Sequence, residues 1–142
     1  MTAILDTGVL YADYDTDATR HEEASATLEG VLAGEYGQPY VTEYIFDEVV
    51  TLTAARTGSH ETAVDVGLRL LGRDPYPETF QFLTVNSDVF ETSWSLFSEY
   101  DDQDLSFTDA VTIACMRHRE IDQVVSFDDD FDGLVSRLEP VS

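Results

Sequence analysis

Four short stretches rich in apolar and β-forming residues, TAILD (2–6), PYVT (39–42), TFQFLTV (79–85) and QVVSF (123–127), are separated by long segments of helical composition. That alternation constrains the fold most. Parallel strands need crossover connections of a dozen or more residues, usually helical, whereas hairpins need only a few. Helical composition covers 19–34, 43–56, 60–72, 87–100 and 108–120, with Gly58 placed to stop the second of these. The stretch GRDPYPET (72–79) reads as an internal loop. The expected fold is a three-layer α/β/α sandwich around a mainly parallel sheet covered on both faces. Residues 1–142 read as a single domain, with 43% hydrophobic content to build its core.

In such a sheet the C-terminal ends of strands and the N-terminal ends of helices meet at one edge, where ligands of open α/β folds bind. Four acids are directed there. Asp6 closes the first strand, and Asp128 directly follows the last. Asp109 lies in the first turn of its helix and Glu48 in the second turn of its own. At about 100° per residue, Ile45, Phe46, Val49, Val50 and Leu52 form one apolar arc, and Glu48 sits at its border about 40° past Leu52. A carboxylate beside a buried face is unfavourable unless it is paired or bound to metal. Each acid also has a structural alternative. Asp109 can close a capping box with Ser106, Asp6 can cap the turn DTG, and the stem of Glu48 can cover the core edge while its head stays wet.

Charge sets the background against which these acids must be weighed. The chain carries 29 Asp+Glu against 7 Lys+Arg, no lysine at all, and a formal net charge of −22. Such a surface repels nucleic acid and anionic membranes at ordinary salt. It suits a cytoplasm of molar salt, where the Debye length falls to about 3 Å. The stretch FDDDFDG (127–133) is the densest example, and in it Asp129 and Asp132 read as salt-adapted surface. The single cysteine agrees with a reducing compartment. The opening MTAILDTGVL lacks the basic region of a signal peptide, and no apolar run approaches a membrane span.

Oxygen-only ligands suit a hard divalent cation such as Mg²⁺ or Mn²⁺. Zinc is disfavoured, because His21, His60 and His118 stand in no HExxH or CxxC context. GxxxxGK and GxGxxG are absent. Aspartate-based phosphoryl transfer usually needs a lysine to hold the phosphoryl group. Metal-assisted cleavage of a phosphodiester needs none, since cations supply the positive charge. Nuclease is therefore the favoured reaction class.

With these positions in place, the chain resembles the PIN-domain family of metal-dependent ribonucleases, and within it the VapC toxins. ILDTGVLYA resembles the family's opening strand, with Asp6 at the first acidic position and Thr7 beside it. VTEYIFDEVVTL resembles the segment bearing the second, Glu48. LSFTDAVTIACMR is the most specific match, with Asp109 as third acid and Ser106 before it. VVSFDDDFDG resembles the closing motif, with Asp128 at the fourth position and Asp130 as an accessory acid; either of the two can be the closer ligand. The resemblance implies an α/β/α sandwich, Mg²⁺ or Mn²⁺ dependence, an RNA substrate, a homodimer and inhibition by a cognate antitoxin. Two other roles share the same acids: a non-catalytic PIN-like module binding RNA or protein, and a housekeeping RNA-processing nuclease. On the helix at 87–100, Phe90, Trp94 and Phe97 fall on one stripe, read as core in preference to interface.

Overall fold

The computed structural model describes residues 1–101 and 104–141. Five strands, β1 (Thr2–Leu5), β2 (Gln38–Thr42), β3 (Gln81–Leu83), β4 (Gln123–Val125) and β5 (Arg137–Leu138), form one sheet. Its order is β3-β2-β1-β4-β5, and every pairing is parallel. The flanking helices are α1 (Thr7–Tyr14), α2 (His21–Leu32), α3 (Glu43–Thr57), α4 (His60–Leu71), α5 (Ser87–Glu99) and α6 (Phe107–Arg119). A 3₁₀ turn spans Asp129–Phe131. Helices α1 to α4 pack into one group and α5 with α6 into another, giving the expected α/β/α sandwich.

Local chemistry explains why the elements begin and end where they do. Thr42, Ser59, Asn86 and Ser106 each cap a helix by accepting a backbone N–H on the side-chain oxygen. Each such cap is worth about 1 kcal/mol. Helices α3 and α4 end at Gly58 (φ 65°) and Gly72 (φ 66°), left-handed positions that glycine adopts without a Cβ clash. Ile4, Leu5, Val124 and Val125 are fully buried at the sheet centre, as expected of strands covered on both faces.

Three features depart from the sequence reading. A helix, α1, begins directly at Thr7, where only a turn was expected. Its residues Val9, Leu10, Tyr11 and Ala12 are all buried, so no polar face gives it an amphipathic period. The edge strand β5 is two residues long, too short to leave a pattern. The aromatic stripe of α5 is not core. Phe90, Trp94 and Phe97 are 43%, 55% and 39% exposed. They lean on one another and on Phe107, with Trp94–Phe97 centroids 6.2 Å apart and Phe90 and Phe97 at 5.6 and 5.8 Å from Phe107. The side of α5 that faces inward is instead Val89, Ser93 and Leu96.

Candidate active site

The two central strands, β1 and β4, end side by side and deliver the first acids. The Asp6 N–H donates to the Val125 carbonyl at 3.1 Å, carrying the ladder past both strand ends. Asp6 is the N-cap residue of α1, yet its carboxylate makes no capping bond. The Ser126 hydroxyl donates to Asp6 Oδ2 at 2.6 Å instead, and the same hydroxyl accepts the Asp128 N–H at 3.0 Å. Ser126 is fully buried. One hydroxyl therefore ties the Asp6 carboxylate to the start of the acidic loop.

The helices deliver the other two. Glu48 is half-buried between exposed Asp47 and buried Val49, and its Oε1 accepts the Thr7 hydroxyl at 2.7 Å. That bond joins the second turn of α3 to the first residue of α1. Asp109 forms the capping box read from the sequence: Ser106 N–H donates to Oδ2 at 3.1 Å, and Asp109 N–H donates to Ser106 Oγ at 3.0 Å. The box uses one carboxylate oxygen and leaves the other free.

Electrostatics identifies these acids as neighbours. Asp6 is raised above the ordinary carboxylate range, first by burial and further by the charges of Asp128 and Glu48, with Ser126 opposing. Asp109 is pushed up to about 7, again mainly by burial, with the charges of Asp6 and Asp128 adding. Asp130 is raised by desolvation and by the Asp128 carboxylate, whose Oδ1 accepts its N–H at 2.9 Å. Negative charge is gathered here, buried and mutually repelling, which is costly at low dielectric and suits a divalent cation with oxygen ligands.

The tightest grouping is narrower than the sequence suggested. Among the described residues, only Asp128, Asp129 and Asp130 bring three carboxylate oxygens within 4.8 Å of one another. Asp129, read from sequence as surface, thus stands exposed within this trio, while Asp6, Glu48 and Asp109 lie outside it. Sequence reasoning also left Ser126 without its role. The signal lay in its place directly after an apolar strand, where its fully buried hydroxyl must find a partner. A cavity of about 490 Å³ is lined by Tyr11, Tyr14, Asp15, Asp17 and Arg56 among others and contains none of the site acids.

The PIN domain family model matches residues 3–135. The chain belongs to the PIN-domain family. Among PIN proteins, a VapC ribonuclease of Archaeoglobus fulgidus is 33% identical over 52 residues, which cover 37% of this chain and 33% of that one. The matched segment thus spans about one third of that relative's length. The crystal structure of Mycobacterium tuberculosis VapC20, a sarcin–ricin loop cleaving toxin, superposes with a TM-score of 0.78 at 25% identity, covering 91% of this chain and 92% of that one. FitAcB from Neisseria gonorrhoeae shares the PIN fold at 16% identity and a TM-score of 0.70, with 96% of both chains covered. This PIN domain is VapC-like.

Proposed function

We propose that this protein is a divalent-metal-dependent endoribonuclease, the toxin of a toxin–antitoxin pair, acting in a salt-rich cytoplasm. The observation that supports the reading is that Asp6, Asp109 and Asp130 are raised by burial and by the charges of their acidic neighbours, Glu48 and Asp128 among them, at one sheet edge. These carboxylates would hold Mg²⁺ or Mn²⁺, which supplies an activated water and stabilises the leaving oxygen of an RNA phosphodiester. The remaining chemistry belongs to the protein. Ser126 orients Asp6 and anchors the loop of Asp128, Thr7 orients Glu48, and Ser106 fixes one oxygen of Asp109. Burial of Asp6 and Asp109 keeps water from solvating their charges, so a bound divalent cation would supply the counter-charge that solvent does not.

Two partners accompany this reading. The likeness to VapC20 and to the toxin–antitoxin complex of Klebsiella pneumoniae (20% identity, TM-score 0.67) supports a cognate antitoxin. The exposed stripe of Phe90, Trp94 and Phe97 supports a homodimer, since large exposed aromatics in a row mark association surfaces. Asp6→Asn is the direct test. The variant should fold, lose Mn²⁺ binding by calorimetry in molar KCl, and lose cleavage of an RNA panel. Parental cleavage by Asp6→Asn would refute the assignment of Asp6 to the metal site, and an unchanged activity in all four acid variants, with weak metal binding, would favour a non-catalytic binding module.

A further inference from the structure

The acidic loop after β4 is fastened at both ends by one side chain. Arg137, in the edge strand β5, pairs with Asp132 through two bonds, Nε to Oδ1 at 2.8 Å and Nη2 to Oδ2 at 3.0 Å. Its third donor, Nη1, reaches the Ser126 carbonyl at 3.1 Å. Ser126 opens the loop and Asp132 closes it. Between them lie Asp128, Asp129 and Asp130, the only three acids among the described residues whose oxygens gather within 4.8 Å. The Arg137 side chain is 12% exposed while that of Asp132 is 55% exposed, so the arginine is the better-buried partner of the pair. The planar fork of arginine suits this double contact, and a lysine could supply only a point charge.

Among the described residues, the loop has other anchors of a different kind, including the Ser126 N–H donating to the Leu138 carbonyl at 3.1 Å. Phe131 is fully buried and pins the middle of the loop to the core, and Asp132 N–H donates to the Asp129 carbonyl at 3.0 Å. Neither contact sets the distance between the loop's two ends. The strand pairing that places Arg137 opposite Val124 brings the guanidinium to this spot. Ser126 in turn contacts Asp6 and the Asp128 N–H. Arg137 therefore connects to the ligand carboxylates through Ser126 on one side and through Asp132 on the other.

We infer that Arg137 is a positioning residue: by clamping Ser126 to Asp132 it holds Asp128 and Asp130 in register with Asp6, so that the loop can close on a divalent cation. This rests on the metal-site reading above. It also reassigns Asp132 from salt-adapted surface to the second jaw of the clamp.

The sign of the effect separates positioning from simple electrostatics. A cationic side chain near a cation site repels the incoming ion, so its removal should strengthen binding. Removal of a clamp should weaken it. Partners outside the ligand shell typically change metal affinity by about 10- to 100-fold. The experiment is Mn²⁺ calorimetry in molar KCl on the wild type, Arg137→Gln, Arg137→Lys and Asp132→Asn, with thermal melts in EDTA alongside. Molar salt screens the long-range charge effect and leaves geometry intact. Arg137→Gln is the variant whose sign separates the two, since loss of a positive charge alone would strengthen binding, while Asp132→Asn tests the second jaw at an exposed position that should not endanger folding.

Expected results are an Mn²⁺ affinity at least about tenfold weaker in Arg137→Gln, Arg137→Lys and Asp132→Asn. A combined Arg137→Gln, Asp132→Asn variant should be no weaker than Arg137→Gln alone, because both break one device. Parental or tighter Mn²⁺ binding by Asp132→Asn and Arg137→Gln, against a wild type that binds, would overturn the clamp and leave the metal site standing. Absence of binding in the wild type itself would remove the metal-site reading and the clamp with it.

Discussion

Asp109→Asn should stabilise the metal-free protein, and by an amount that depends on pH. The carboxyl is 8% exposed and its pKa is pushed up to about 7 by burial and by the charges of Asp6 and Asp128. In the unfolded chain an aspartate titrates near 3.9. The folded state therefore binds its proton more tightly, and the stabilising contribution of that proton is complete below about pH 4. It is lost as pH rises through 7. A shift of roughly three units corresponds to about 4 kcal/mol at most. Part of that is screened at the open edge of the sheet, so about 2 kcal/mol is the working figure. An asparagine carries no charge, and its oxygen can still accept from Ser106 N–H, so the capping box survives. For a chain of this size the gain amounts to about 6 °C in Tm. Thermal melts of both proteins in EDTA and molar KCl should show Asp109→Asn more stable at pH 8, with the gap narrowing by pH 5 and closing only near pH 4. Mn²⁺ should raise the Tm of the wild type alone. Equal melting at pH 8, or a gap that widens toward pH 5, would refute the claim that Asp109 carries an uncompensated charge.

Two further variants test other parts of the structure. Phe131→Ala removes a fully buried ring from the middle of the acidic loop and should cost about 3–5 kcal/mol in chemical denaturation; a loss under 1 kcal/mol would show the ring is not a core element. The double variant Trp94→Ser, Phe97→Ser removes exposed aromatics from α5 and should leave the thermal midpoint of the monomer within a few degrees while shifting a dimer to monomer in light scattering. A dimer that survives both substitutions places its interface elsewhere.

The sequence was most legible where periodicity and caps agreed. α3 is an example: Thr42 caps it, Gly58 stops it, and Glu48 lies half-buried at the rim of its apolar arc. The Asp109 capping box was legible from its local spacing in SFTD and is present. The four acids of the candidate site could be assigned to one sheet edge because their elements fix which end they occupy. α1 was not legible, since a helix buried on all sides presents no polar stripe. The fate of the α5 stripe was not legible either: i, i+4, i+7 spacing shows that three aromatics share a face, and only packing decides whether that face meets the sheet or solvent. Asp129 and Asp132 illustrate a different limit. Their composition resembles that of any acidic surface, while their neighbours, Asp128 and Asp130 for one and Arg137 for the other, depend on how the loop returns to β5.

The pairing of β1 with β4 has a consequence for the newly made chain. Asp6 is synthesised long before Asp128, and the two meet only when Ile4 and Leu5 align with Val124 and Val125. Until then the first carboxylate has neither its serine donor nor its loop of companions. A chain still leaving the ribosome, or one cut short before β4, lacks the assembled cluster. The topology therefore acts as a timer, delaying the harmful chemistry proposed here until β4 has been made and has paired with β1.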